Sequence, residues 1–367
     1  GFSKGVMLSG NNLAGNIVFG FQTHLIERGD RQLAFLPLAH AYGCAFDFLT
    51  AFCAGTHTTF LGKIPSPKIL LKAFTEIRPT CIFTVPLIIE KLYRKQIQPM
   101  LNSRTMRWGL SVPLIDSTIL ATIRKKLTTA FGEEFKEVVI GGAALNPEVE
   151  EFLRKIGFRF AVGYGMTECA PLISKSPYNE SLPFSVGQIL PNMQVKILSE
   201  DPYNTVGEIL IKGENVMMGY YKNEEATNEA LDKDGWLHTG DMGTIDKNDN
   251  IFIRGRNKSM LLGPSGQNIY PEEIEAKLNN LPFILESLVL ENKEHQLVGF
   301  VYPDYDAVDE ANINHDELEI VMEANRKNLN TMVANYEQLI SIQLYPNEFE
   351  KTPKKSIKRF LYTNLLK

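Results

Sequence analysis

GGAALNPEVEEFLRKIGFRFAVGYGMTE, residues 141–168, is the stretch on which the fold of this chain turns. It opens where the β-rich run EFKEVVI stops, so Gly141 and Gly142 stand at the end of an expected strand. Asn146 suits an N-cap, Pro147 the first helical position, and Glu148 the positive end of a helix dipole, which predicts a helix over NPEVEEFLRKIG. The apolar run that follows ends at GYGMTE, Gly163 to Glu168, where a glycine-aromatic turn meets a hydroxyl and a carboxylate at once. GGAAL has two readings: a tight turn from strand to helix, or a ligand site beyond the carboxyl end of a strand.

The same alternation extends upstream. RQLAFLPLAH reads as a strand, AFDFLTAFCAG as a helix, THTTFLG as a strand and SPKILLKAFTEIRP as a helix, followed by the β-rich run TCIFTVP. This is α/β layering. From Phe184 to Arg256 the character changes to short alternating strands with Asn and Asp at the bends, as in NMQVKILSEDPYNTVGEILIKG. Beyond it, Ile274, Leu278 and Leu281 share one helix face in NIYPEEIEAKLNNLP, and strands at ESLVLEN, HQLVGFVYP and LISIQLYP flank a helix near LEIVMEANRKNLN. The expected organisation is a large domain at residues 1–255, α/β over 1–183 and β-rich over 184–255, then a small α+β domain at 256–367.

A length of 367 residues with 44% hydrophobic and 22% charged residues fits a soluble globular protein of about two domains. The net charge of -5 supplies no overall basic field, which argues against nucleic acid as a partner. Cys44, Cys53, Cys81 and Cys169 lack metal or disulfide spacing, which fits a reducing cytoplasm. No apolar run reaches the roughly 18 residues of a membrane span; peripheral membrane contact stays compatible with the sequence.

Several short motifs carry chemistry. SKGVMLSGNN combines Ser3, Lys4 and Gly5, the materials of a phosphate loop or equally of a solvated turn. LPLAHAYG places His40 after an apolar run, as a packed histidine or a site residue. In GYGMTE, Tyr164 can stack on a base, Thr167 can bind a phosphate oxygen and Glu168 can hold magnesium. In HTGD, Asp241 can accept two hydroxyl donors from a ribose.

Taken in order, SKGVML, PLAHAYG, GGAAL, GYGMTE, GEILIKGENVMMGYYKNEEAT, GWLHTGDMGTIDKNDNIFIRGRNKSMLL and GQNIYPEEIE resemble the adenylate-forming acyl-CoA synthetases. LPLAHAYG, EIRPTCIFTVPLIIEKLY and GGAALNPEVEEF look most like the long-chain fatty acid CoA ligases, and the resemblance spans essentially the whole chain. It implies an AMP-forming acid–thiol ligase that uses ATP and magnesium to make a fatty acyl adenylate and passes the acyl group to coenzyme A. By the same resemblance Gly141, Gly142 and Ala143 line the adenine and acyl side, Tyr164 lies against adenine, Thr167 contacts phosphate and Glu168 binds the metal. Asp241 and Arg256 bind the ribose, Lys4 belongs to the phosphate loop, His40 lies near the reacting carboxylate, and Lys258 is the hinge of a mobile C-terminal domain.

Two departures accompany the resemblance. The family has a long region ahead of the position of Gly1, which implies a fragment lacking part of the core and acyl tunnel and not fully active alone. The family's adenylation lysine falls on Ser356 in EKTPKKSIKRFLY, and a one-residue shift assigns the role to Lys355. The alternatives are transfer of the acyl group to a carrier protein instead of coenzyme A, and a nucleotide-binding homologue without turnover.

Overall fold

The computed structural model describes residues 4–62, 65–103, 106, 108–109, 112, 115–263, 266–351 and 357–366. They form two compact units: residues 4–239 with 244–253, and residues 240–243 with 254–366.

The first unit begins with β1 (Val6–Met7), β2 (Arg31–Ala34) and β3 (His57–Phe60), of which β2 and β3 pair in parallel. Next come β4 (Ile82–Thr84), β5 (Val138–Ile140), β6 (Phe160–Gly165) and β7 (Leu172–Lys175), a sheet in the order β4-β5-β6-β7. The first three are parallel, with Thr84 opposite Ile140 and Ile140 opposite Val162, whereas β7 returns antiparallel. β4 and β5 are buried along their whole lengths, the pattern of parallel strands covered on both faces. The helix Pro147–Lys155 joins β5 to β6 as its caps require: Asn146 accepts from the Glu148 amide at 3.0 Å, and Arg154 and Lys155 occupy the last turn.

Aromatic rings fill the space between layers. Phe74 stacks on Phe131 with centroids 5.1 Å apart, and Phe158 meets Phe131 edge-on. One carboxyl, Asp47, is wholly buried, accepting from Gln32 Nε2 at 2.7 Å and the Leu36 amide at 3.2 Å.

The chain continues through β8 (Met193–Leu198), β9 (Gly207–Gly213), β10 (Gly219–Tyr220), β11 (Leu237–Ile245) and β12 (Ile251–Arg256). β10 pairs antiparallel with β1, and β8 with β9; the four longer strands take the order β12-β11-β9-β8.

The second unit holds β13 (Leu261–Leu262) and β14 (Asn268–Ile269), then the helix Pro271–Leu278. β15 (Ile284–Glu291) and β16 (Leu297–Pro303) are antiparallel, and β17 (Leu339–Leu344) lies parallel to β16. The intervening helix His315–Met332 opens on a capping box in which Asn314 and Glu317 exchange side-chain bonds to each other's amides at 3.0 and 2.9 Å. Ile274, Leu278, Val289, Val301, Leu318 and Leu329 share one apolar cluster. Leu288, Leu290, Val298 and Phe300 form another with Phe349 and Tyr362, so both faces of the sheet are covered. Glu275 is buried and takes two bonds from Arg359 at 2.6 and 2.8 Å, fixing the last segment to the helix Pro271–Leu278. Among the described residues, no helix is long and apolar enough to cross a membrane.

Burial pushes the Asp47 carboxyl from its ordinary 3.8 up to about 7, against the pull of its donors Leu36, Gln32 and Phe35. From about pH 4 to 7 the native state therefore holds a proton that the unfolded chain has released, and the stability tied to it, whole below pH 4, is lost as pH rises through 7. Asp47→Asn stays neutral throughout. The variant is expected to lose less stability than the parent between pH 4 and pH 8, by up to roughly 4 kcal/mol, in denaturant titrations at the two pH values. Identical losses in both proteins would show that Asp47 ionises freely in the fold.

Candidate nucleotide site

Parallel pairing of β4, β5 and β6 sets their carboxyl ends side by side, where α/β sheets bind ligands. Gly141 follows β5 directly and is buried, while Gly142 and Ala143 are exposed. Gly142 adopts φ 90°, a conformation that favours glycine and lets the chain leave the sheet. The Tyr42 ring lies 3.4 Å from where a Gly141 Cβ would stand, and its hydroxyl donates to Val139 O at 3.1 Å. Tyr42 is two residues beyond His40, so the turn carrying the half-buried His40 is anchored at this strand end. His40 closes that turn through its own amide, which donates to Pro37 O at 3.0 Å.

Tyr164 is buried near the end of β6, and Thr167 and Glu168 follow in the 3₁₀ turn Thr167–Cys169. A Cβ on Gly165 would stand 2.3 Å from Pro171 O, so only glycine allows the chain to fold back this closely. Glu168 Oε1 accepts from the Tyr220 hydroxyl at 2.8 Å, and Glu168 O accepts from the Met217 amide at 2.8 Å. Burial, and then the Glu168 carboxylate, raises the Tyr220 phenol above its ordinary range, so it stays a donor. The exposed Lys4 places Nζ 4.5 Å from the centroid of the same ring. Lys4, Tyr164, Thr167, Glu168 and Gly141–Ala143 thus fall within the first unit.

Sequence reasoning missed the residues that hold this arrangement. On the helix Gly10–Gln22, Asn16 donates to Ala170 O at 2.7 Å and accepts from the Leu172 amide at 3.0 Å. One turn earlier, Asn12 donates to Glu214 O at 2.7 Å and Val216 O at 2.8 Å. The available signal was the spacing of Asn12 and Asn16, i and i+4 on one face of a helix otherwise rich in apolar residues. Gly15, between them, is where a Cβ would strike Asn215 Oδ1 at 2.0 Å.

In the second unit, the Arg256 guanidinium lies 3.0 Å from Asp241 Oδ1, with Asp241 buried and Arg256 exposed. Lys258 is exposed on the 3₁₀ turn Asn257–Ser259. Lys351 and Ile357 form an antiparallel bridge; Lys355 and Ser356 lie outside the described residues.

The donor set suits a hard cation. Thr167 and Glu168 offer oxygen, and among the described residues no group of three His, Cys, Asp or Glu side chains converges. A magnesium ion at Glu168 would therefore complete its shell with phosphate and water oxygens, its usual manner. The apolar cavity beside Ile89, Tyr93, Phe131 and Phe158 has a volume of roughly 10 Å³, about that of one water.

The family model of AMP-binding enzymes matches residues 1–221. The chain belongs to the AMP-binding enzyme family. Within it, the long-chain-fatty-acid–CoA ligase ACSBG1 of Rattus norvegicus is 30% identical over 319 residues, covering 79% of this chain and 44% of that protein. The long-chain-fatty-acid–CoA ligase FadD15 of Mycobacterium tuberculosis is 30% identical over 312 residues, covering 79% of this chain and 50% of the relative. The chain spans about half the length of these curated relatives. ATP-bound MatB from Rhodopseudomonas palustris superposes with TM-score 0.76 at 24% identity, over 100% of this chain and 67% of that one. The O-succinylbenzoate coenzyme A synthetase MenE from Bacillus subtilis, solved with ATP and magnesium ion, gives 0.73 at 22% identity, over 97% and 66%. Both structures share the fold, and the mixed α/β architecture expected from the sequence is the one they have.

Asn16→Ala strands the buried Ala170 carbonyl and Leu172 amide. The expected cost is roughly 2–4 kcal/mol of unfolding free energy, read as a lowered denaturant midpoint, with Thr23→Ala, which removes a bond at the helix end, costing far less. Equal midpoints for Asn16→Ala and the parent would show that these two bonds carry no net stability.

Proposed function

We propose that this chain serves the ATP-dependent conversion of a medium- or long-chain fatty acid to an acyl adenylate, and its transfer to coenzyme A, in the cytoplasm. The observation that carries this reading is the succession Tyr164, Thr167, Glu168 at the end of β6, beside Gly141–Ala143 at the end of β5, with Lys4 over the ring that bonds Glu168. The curated relatives' activity as long-chain-fatty-acid–CoA ligases supports the acid class and the acceptor.

In the first half-reaction a carboxylate oxygen of the acid attacks the α-phosphorus of ATP. The bond to the bridging oxygen breaks, and pyrophosphate leaves with the electron pair. Magnesium, when bound, supplies positive charge that offsets the phosphates, and Glu168 is the carboxylate to hold it. Thr167 donates its hydroxyl to a phosphate oxygen, Lys4 neutralises charge on the departing pyrophosphate, and Tyr164 offers its ring to adenine. Gly141, Gly142 and Ala143 leave room for adenine and the acyl carbon. Asp241 accepts from the ribose hydroxyls, with Arg256 beside it, and His40 orients the reacting carboxylate.

In the second half-reaction the coenzyme A thiolate attacks the acyl carbonyl, the anhydride C–O bond breaks and AMP departs. Lys258 is the hinge for the change between steps, and Lys355 the ammonium that stabilises negative charge in the first.

Fatty-acid-dependent exchange of pyrophosphate into ATP tests the first step. Exchange is expected with medium- and long-chain acids in preference to aryl acids, followed by thioester formation with coenzyme A. Absence of exchange with every acid, from the whole protein as well as from this chain, would refute adenylation, and acceptance by a carrier protein but not coenzyme A would refute the second step. Lys355→Ala is expected to slow exchange about a hundredfold while sparing transfer from preformed acyl adenylate. Unchanged exchange in that variant would remove Lys355 from the mechanism.

A further inference from the structure

Three stretches far apart in sequence meet at Tyr220. β10 lies along β1 with Tyr220 opposite Val6 and Gly219 opposite Met7. The Tyr221 amide donates to Gly5 O at 2.7 Å and the Met218 amide to Met7 O at 3.0 Å, so the chain just beyond Lys4 is tied at both ends of this short ladder. The Met217 amide, one residue earlier, holds the backbone of Glu168. Residues 217–221 therefore clamp the phosphate-loop segment and the GYGMTE turn to each other.

Tyr220 repeats the clamp with its side chain. Its hydroxyl donates to Glu168 Oε1 at 2.8 Å, and the face of its ring carries the Lys4 ammonium 4.5 Å from the centroid. The ring is buried, and its backbone is pinned by the Thr227 hydroxyl, which accepts from the Tyr220 amide at 2.9 Å. One aromatic side chain thus fixes both a carboxylate and an ammonium, leaving neither charge to be oriented only when ligand arrives.

We infer that Tyr220 is a positioning residue for the metal–triphosphate end of the nucleotide, holding Glu168 by Oε1 so that Oε2 faces a hard divalent cation, and seating Lys4 beside it. The inference rests on the proposed role of Glu168 and Lys4 in nucleotide binding and extends it to a residue outside their two motifs. A tyrosine that merely filled the core would be replaced by phenylalanine without effect on the cation. Here the hydroxyl carries the orientation of the carboxylate, whereas the ring alone carries Lys4.

Tyr220→Phe in the full chain separates these roles. Manganese, as a paramagnetic stand-in for magnesium, is titrated with ATP present and followed by the resonance of the free ion; AMP binding without metal is measured by calorimetry. Tyr220→Phe is expected to weaken manganese binding about fivefold to tenfold, with AMP affinity and denaturant midpoint close to the parent's. Tyr220→Leu, which also removes the ring, is expected to weaken metal-free ATP as well. Manganese affinity equal to the parent's in Tyr220→Phe, or a parallel loss of AMP binding or of stability, would overturn the inference. A parent that binds AMP but no manganese with ATP would overturn it together with the assigned role of Glu168.

Discussion

Parallel pairing of β4, β5 and β6 in a single register is the constraint on which the first unit depends. With Thr84, Ile140 and Val162 level across the sheet, the segments that leave those strands start from one edge. Parallel strands require long crossovers, which the helices before β5 and between β5 and β6 supply, and burial, to which the aromatic cluster around Phe74 and Phe131 contributes. Gly141–Ala143 and the GYGMTE turn are neighbours because the backbone ladder makes them so.

A second layer of constraint comes from amides rather than strands. Asn12 and Asn16 project from one helix to the carbonyls of Glu214, Val216 and Ala170, and Asn215 continues the set to Leu172 O at 2.9 Å. A buried amide side chain can both donate and accept, so it satisfies loop backbone groups that have no ladder partner. The loops at the strand ends, which need unusual conformations to approach a ligand, are thereby held without regular secondary structure. Tyr220 adds a charged pair to this framework and connects it to the segment after Lys4.

The second unit is built on different physics. Its sheet is antiparallel except where β17 joins β16, and both faces are covered, one by the helices Pro271–Leu278 and His315–Met332 and the other by the final segment. The buried Glu275–Arg359 pair joins that segment to the rest with matched geometry: two bonds to the guanidinium, and a third from the Val289 amide at 2.7 Å. Arg359 also donates to Val289 O at 2.7 Å, so the pair closes a small network in which both charges are satisfied.

Local chemistry was legible in the sequence wherever a residue acts on its own neighbourhood. Asn146–Pro147 marked a helix start that the structure reproduces, and the apolar runs marked β4 and β5. The ordered motifs fixed the family because each short pattern is rare in that succession. Tertiary structure alone decided which strand ends adjoin, that Asp47 is sealed from water, and that Asn16 and Tyr220 support residues more than 150 and 50 positions away, at 154 and 52 respectively. Pattern and propensity are local quantities, whereas a hydrogen bond across the core is made only after the sheet has closed the distance between its partners.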